Sequence, residues 1–236
     1  SYLKDITIYP YTEGLENALK GLGEDGIPHT WLGRTPFQQM WIEWVRMEDF
    51  SVHLVDCEDI VQECMNLAGE VMRQMFHAVK DAPAPYFVFG DNITAPLIGE
   101  RYFRQYCVPY YNELADILSD RGIPVFVHMD GDLKPLWKAI SESKVGGLDS
   151  YSPTPDNDTS PADAITNMPN VKLGMNFPSS VHLASPEEIY RTTWDILQQA
   201  GHSGRLQIQI SENPPPGAWK KSYPEIVRAI NDFGKP

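Results

Sequence analysis

The sequence predicts an α/β fold on a parallel sheet, and favours a closed (β/α) barrel over an open doubly wound sheet. Short apolar runs alternate with segments of helical spacing, the order that sets helices outside parallel strands. Nearly every run is followed at once by polar or chemically capable residues: Gly33-Arg34-Thr35, Asp91-Asn92, His128 with Asp130, Tyr151-Ser152, Asn176, and Ser211-Glu212-Asn213. A barrel opens all its strand C-termini onto one face, whereas an open sheet gathers only those near its switch point. No G-x-G-x-x-G follows a strand and no G-x-x-x-x-G-K-[ST] occurs, so the usual nucleotide-binding signatures of open sheets are missing.

Each element has a local reason. The first strand is Ile27 to Leu32, with a weaker one at Ile6 to Tyr9. Asp56 to Val79 places Ile60, Val61, Cys64, Leu67, Ala68, Val71, Met75 and Val79 on one broad stripe, with Asp56 as its expected cap. Tyr86 to Phe89 is a continuous apolar strand. Arg101 to Leu118 repeats the helical pattern with Phe103, Tyr106, Cys107, Tyr110, Leu114 and Leu118, then stops at Arg121-Gly122. Val125 to Val127, Gly147-Leu148, Lys172 to Met175 and Leu206 to Ile210 complete the strands, and a shorter helix spans Leu133 to Ser143. Pro186 to Ala200 begins after Ser185, with proline at the first helical position and Glu187 and Glu188 in the first turn. Tyr223 to Phe233 closes the chain before Gly234. With no long low-complexity segment or charge block, residues 1–236 read as a single domain.

Composition narrows the function classes. The 236 residues are 42% hydrophobic and 22% charged, a globular balance that excludes disordered, collagenous and disulfide-scaffold classes. Nineteen basic against 32 acidic residues give a formal charge of −13, which repels phosphate backbones and anionic lipid. Neither nucleic acid nor membrane is an expected partner. The apolar runs are of strand length, far short of the about 20 residues a membrane span needs, and no apolar leader is visible. Cys57, Cys64 and Cys107 cannot all pair and form no close-spaced metal motif, so reduced thiols and a cytoplasmic location are expected.

The sharpest chemical signal is Val125-Phe126-Val127-His128-Met129-Asp130-Gly131-Asp132. An apolar strand delivers a histidine at its end and a carboxylate two residues later. Side chains at i and i+2 of extended chain point the same way, so His128 and Asp130 can converge on one ion or substrate group. Imidazole nitrogen with carboxylate oxygen suits zinc or another divalent metal, and Glu212 after the last strand supplies a third ligand with a position left open. The competing reading makes His128 a hydrogen-bonded structural histidine and the carboxylates loop or helix caps. Asp91 is a further candidate catalytic group. Arg34, Asn92, Tyr151 and Asn176 are candidate substrate contacts, Arg34 for an anion or else for a surface acid.

Other features read as structural. Asp156-Asn157-Asp158 resembles part of a calcium loop but lacks its glycine and distal glutamate, so a proline-containing turn before a helix is the better account. Ser179 and Ser180 could bind a carboxylate or cap a turn. Trp31, Trp41 and Trp44 near Met40 and Met47 fit core packing. Pro214-Pro215-Pro216 reads as a rigid loop rather than a partner ligand.

From about Ile6 to its end the chain resembles the uroporphyrinogen decarboxylase superfamily, in its methyltransferase-like and uncharacterised branch. Four stretches carry the resemblance: Phe89-Gly90-Asp91-Asn92; Arg101 to Leu118 with Val108-Pro109-Tyr110-Tyr111; Ile123 to Gly131; and Ile210-Ser211-Glu212-Asn213-Pro214-Pro215-Pro216 with the closing helix. The resemblance implies a (β/α)8 barrel, here incomplete at the N-terminus because the count gives about six strands. It makes the chain similar to the C-terminal two-thirds of such a protein, with open sheet edges that another copy in a homo-oligomer could cover. Corrinoid-linked methyltransferases of this superfamily bind zinc through a His-x-Cys pair and a later cysteine. Here Asp130 stands at the first cysteine, and Glu212 or Ser211 falls in the region of the second. That harder donor set suits an oxygen substrate better than a thiol.

The resemblance thus implies a metal-dependent methyltransferase or demethylase acting on a small molecule, with a corrinoid on a partner protein as methyl carrier. The alternatives are a carboxy-lyase acting on a tetrapyrrole and a non-catalytic, ligand-binding degenerate barrel. The first requires several cations at the site, and the arginine-rich N-terminal motif of the heme-pathway enzyme is absent from this sequence.

Overall fold

A computed structural model describes residues 2–210 and 214–234. In chain order the main elements are α1 (Glu13–Leu22), β1 (Thr30–Trp31), α2 (Pro36–Gln39), α3 (Met47–Asp56), α4 (Glu58–Val79), β2 (Phe87–Phe89), α5 (Ala95–Tyr102), α6 (Val108–Ile117) and β3 (Val125–His128). There follow α7 (Trp137–Glu142), β4 (Gly147–Tyr151), α8 (Pro161–Asn167), β5 (Lys172–Asn176), α9 (Pro186–Ala200), β6 (Leu206–Gln209) and α10 (Trp219–Phe233). All six predicted main strands are present, and the alternation is that of the α/β class.

The chain divides into two compact units. One holds the chain up to Asn92 with Glu100–Val127 and Ser143–Val145; the other holds Ile93–Gly99, His128–Glu142 and the chain from Gly146 onward. In the first, β1 pairs parallel with β2 (Thr30 opposite Phe87) and β2 with β3 (Phe87 opposite Val125). Phe87, Val88 and Phe89 are wholly buried, which is why this strand reads as a continuous apolar run. Its helices bury Phe37, Phe50, Phe76, Phe103, Tyr111 and Leu114.

In the second unit, β4 pairs parallel with β5 and β5 with β6. Ser185 accepts the Glu188 amide and starts α9 as predicted. Ser160 and Asp163 form a reciprocal capping box at the start of α8.

Several boundaries differ from the sequence expectation, for physical reasons. Asp56 does not cap α4. It ends α3, and the break falls at Cys57 (φ −148, ψ 50), which caps α4 without a side-chain hydrogen bond. The segment Arg101 to Leu118 is not one α-helix: a π-helical turn at Phe103–Cys107 precedes α6, where Pro109 has no N–H to offer the preceding turn. Ile6 to Tyr9 forms no strand. Instead Ile6 and Ile8 line an apolar cavity of about 400 Å³ in the first unit, beside Met72 and Met75 of α4. Helix α10 starts at Trp219, four residues before the expected Tyr223, and carries Pro224 inside it. Of the tryptophan and methionine patch, Met40 and Trp41 are buried, whereas Trp31 and Trp44 are half exposed.

Candidate functional site

His128 ends β3 and sits in the second unit between two carboxylates. Its Nδ1 lies 2.8 Å from Asp149 Oδ2 and its Nε2 3.5 Å from Asp130 Oδ2. A carboxylate only accepts, so Nδ1 carries the proton of the short contact. Burial opposes charge on the imidazole, but the hydrogen bonds to Asp130 and Asp149 and their negative charges outweigh it and push the pKa from 6.5 to about 9. The convergence of His128 and Asp130 follows from the i, i+2 spacing on extended chain.

Asp149 is the partner that sequence reasoning missed. It lies inside β4, is 4% exposed, and also accepts the Ser150 hydroxyl at 3.2 Å. A carboxylate within a strand buried along its whole length, Gly147-Leu148-Asp149-Ser150-Tyr151, is a signal that could have exposed it, because a buried charge needs a partner.

Asp91 follows β2 in the first unit and is wholly buried. Its Oδ1 accepts the Thr35 amide at 2.6 Å, and its Oδ2 accepts the Thr35 hydroxyl at 2.9 Å and the Tyr111 hydroxyl. Its backbone carbonyl accepts the Gln38 amide at 2.9 Å. Burial raises the Asp91 carboxyl from 3.8 to about 6, although the bonds from Tyr111 and Thr35 and the charge of Arg34 act to lower it. The π-helical turn ends at Cys107, whose thiol burial pushes well up and whose sulfur lies 3.5 Å from the Thr35 hydroxyl oxygen. The Asp91–Thr35 bonds thus fix the residue next to Arg34. Arg34 itself donates to Glu43 at 3.0 Å and to Asn92 Oδ1 at 2.6 Å. Asn92 has positive φ (49°), which favours Asn at this turn.

The remaining predicted residues fall as follows. Tyr151 is buried and its hydroxyl donates to the Thr159 carbonyl. Asn176, also buried, donates from Nδ2 to the Ser150 carbonyl at 3.0 Å and to Ser152 Oγ at 2.9 Å. Glu212 lies outside the described residues. Asp156 accepts the Ser179 amide and the Ser179 and Ser180 hydroxyls, while Asp158 accepts the Leu133 and Lys134 amides. The acidic loop therefore ties backbone and serines together, the turn-like role expected of it. Among the described residues no group of three or more His, Cys, Asp and Glu side chains could hold a metal, and all three cysteines are free thiols.

Parallel strands alternating with helices, with hydrogen-bonded acids and amides at the strand ends, place the chain in the α/β class. The chain belongs to the uroporphyrinogen decarboxylase family: the family model described as "Uroporphyrinogen decarboxylase (URO-D)" matches residues 45–209. Among solved structures it is similar to a methyltransferase from Methanosarcina mazei, at 15% identity and a TM-score of 0.70 over 95% of this chain. That likeness is one of fold, and the fold is the incomplete (β/α)8 barrel expected. The chain spans 64% of that methyltransferase's length. No curated protein sequence matches it. Among the described residues no helix is long and apolar enough to cross a membrane.

Proposed function

We propose that this chain assists methyl transfer from a small oxygen- or nitrogen-bearing substrate, using a divalent metal, with a corrinoid on a partner protein as the methyl carrier. The observation that carries this reading is the orientation of His128. Asp149 engages Nδ1 at 2.8 Å, and Nε2 lies beside Asp130 at 3.5 Å. Metal-bound imidazoles are commonly backed in this way by a carboxylate on the other ring nitrogen. His128 and Asp130 are the ligands in this proposal, with Glu212 as the third from sequence. Zinc or another divalent cation bound there would draw electrons from the substrate heteroatom as a Lewis acid and ease loss of its methyl group. A nitrogen and oxygen donor set lacks the thiolates that suit a thiol acceptor. Metal binding must displace the Nε2 proton of His128, while Asp149 keeps the ring in place.

Asp91 acts through Thr35 as a positioning group for Arg34, since its carboxylate oxygens are taken by Thr35 and Tyr111. Arg34 is in this reading a substrate contact. The fold likeness to a methyltransferase supports the same chemistry. The carboxy-lyase alternative needs several cations for a polyacidic tetrapyrrole. Arg34 is a permanent cation beside Asp91, and Glu43 and Asn92 already engage it.

The direct test is metal content and zinc affinity of the purified protein, with methylcobalamin consumption as the activity readout. One equivalent of zinc is expected for the wild type and its loss in His128→Ala. Unchanged metal content in that variant removes the ligand assignment. Zinc binding with no methyl transfer to any oxygen or nitrogen acceptor would favour the non-catalytic barrel, and decarboxylated product from a porphyrinogen would favour the carboxy-lyase.

A further inference from the structure

Asp149 reaches His128 from a strand that is not regular. Between Leu148 and Tyr151 strand β4 takes three residue steps, while its partner β5 takes two between Leu173 and Met175. One extra residue is therefore inserted, a β-bulge, at Asp149-Ser150. Ser150 has φ +55°, a left-handed conformation that a non-glycine residue adopts only at an energetic cost. Something must hold it there. Side chains from the two strands that follow β4 in the sheet engage the two backbone polar groups of Ser150. Asn176 at the end of β5 donates Nδ2 to the Ser150 carbonyl at 3.0 Å, and Gln209 at the end of β6 accepts the Ser150 amide on Oε1 at 3.3 Å.

The path of Gln209 is itself cleared by a glycine. A Cβ on Gly174 of β5 would lie 2.8 Å from Gln209 Nε2 and 3.0 Å from the Leu148 carbonyl. No side chain fits there while Gln209 reaches across β5 to the bulge. The bulge in turn directs both polar groups of Asp149: its carbonyl accepts the Met129 amide at 3.1 Å, and its carboxylate meets His128 Nδ1. Gly174, Asn176 and Gln209 converge on the backbone distortion that presents Asp149. Left-handed or bulged residues held by surrounding groups are a recurring way to aim a side chain.

We propose that Asn176 and Gln209 are positioning residues which lock the Asp149-Ser150 bulge and so fix the orientation of the His128 imidazole through Nδ1. The functional meaning of that orientation rests on the methyltransferase reading above; the locking itself does not. The two amides do opposite jobs, Asn176 as donor and Gln209 as acceptor, and this makes amide-to-acid exchange a discriminating probe. Gln209→Glu keeps an acceptor for the Ser150 amide. Asn176→Asp replaces a donor with an acceptor facing the Ser150 carbonyl.

The experiment follows the His128 Nδ1–H signal in the full chain, labelled with 15N-histidine, together with zinc affinity. The wild type and Gln209→Glu are expected to show a protected Nδ1–H resonance. Asn176→Asp and Gln209→Leu are expected to lose it to solvent exchange, with zinc affinity lower by roughly 10–100-fold, the range for orienting partners of a metal ligand. Adding Ser150→Gly to Gln209→Leu is expected to restore the signal, because glycine takes the left-handed conformation unaided. A purely structural role for Gln209 would lower stability without a rescue of that resonance by glycine. Retention of the resonance in Gln209→Leu, or the same behaviour in Gln209→Glu and Asn176→Asp, would overturn the proposal. If Asn176→Asp does not fold, the Gln209→Leu pair with and without Ser150→Gly decides. If the wild type binds no zinc, the ligand reading fails, but the resonance still reports on the lock.

Discussion

Asp91→Asn isolates one buried ionisation. The carboxyl is wholly buried and its pKa is raised from 3.8 to about 6 by that burial, against the pull of Tyr111, Thr35 and Arg34. Because the folded value lies above the unfolded one, the folded state binds this proton more tightly. The contribution to stability is fully present below pH 3.8 and is lost as pH rises through 6. The whole interval corresponds to about 3 kcal/mol, and between pH 7 and pH 5 it amounts to about 1.3 kcal/mol of added stability on acidification. Asparagine keeps an oxygen for the Thr35 amide and can donate to the Tyr111 and Thr35 hydroxyls, which also accept. It removes the titration with little loss of hydrogen bonding. Urea unfolding of wild type and Asp91→Asn at pH 5, 6 and 7 measures the difference. The wild type is expected to gain about 1.3 kcal/mol over the variant from pH 7 to pH 5. Parallel stability profiles, or a difference that grows with rising pH, would refute the reasoning.

Two further substitutions test local packing. Ser160→Ala removes the side chain that accepts the Asp163 amide at 3.1 Å and donates to its carboxylate at 2.8 Å, and should lower stability by about 1 kcal/mol in thermal unfolding, with Ser160→Asp retaining most of it. Gly131→Ala places a Cβ 2.2 Å from Thr94 Cβ and Oγ1 and 3.0 Å from its Cα; overpacking of about 1–3 kcal/mol is expected, together with weaker zinc binding because Asp130 precedes it. Thr94→Gly in the same chain should recover both, and failure to recover either would mean that the contact is not the cause.

How much was legible in the sequence depended on whether the cause was local. Phe87-Val88-Phe89 reads as a strand because a parallel strand buried on both faces shows it in every residue, and Val125-Phe126-Val127 because it is a short run of apolar, largely β-branched residues with Val125 and Val127 buried. Helix α9 was legible to the residue because Ser185 and Pro186 are sufficient local signals. Asp56 reads as a helix cap because an acidic residue stands just ahead of the apolar stripe, but the helix Met47–Asp56 runs up to it and only the dihedral break at Cys57 separates the two helices. The π-helical turn before Pro109 has no period of its own to detect. At the candidate site the pairing of His128 with Asp130 follows from strand spacing alone. Asp149 was hidden because its orientation depends on a bulge, which appears only when β4 and β5 are laid in register. Likewise the use of both Asp91 oxygens by Thr35 and Tyr111 joins residues 56 and 20 positions apart, beyond any local pattern.

X-ray absorption at the zinc edge of the zinc-loaded protein tests most directly whether His128 and Asp130 grip a cation. Nitrogen and oxygen scatterers at about 2.0–2.2 Å, including an imidazole, are expected, with no sulfur near about 2.3 Å. Asp130→Cys should bring one sulfur into that shell while His128→Ala removes the imidazole. Sulfur around zinc in the wild type, or no sulfur gained in Asp130→Cys, would contradict the assignment.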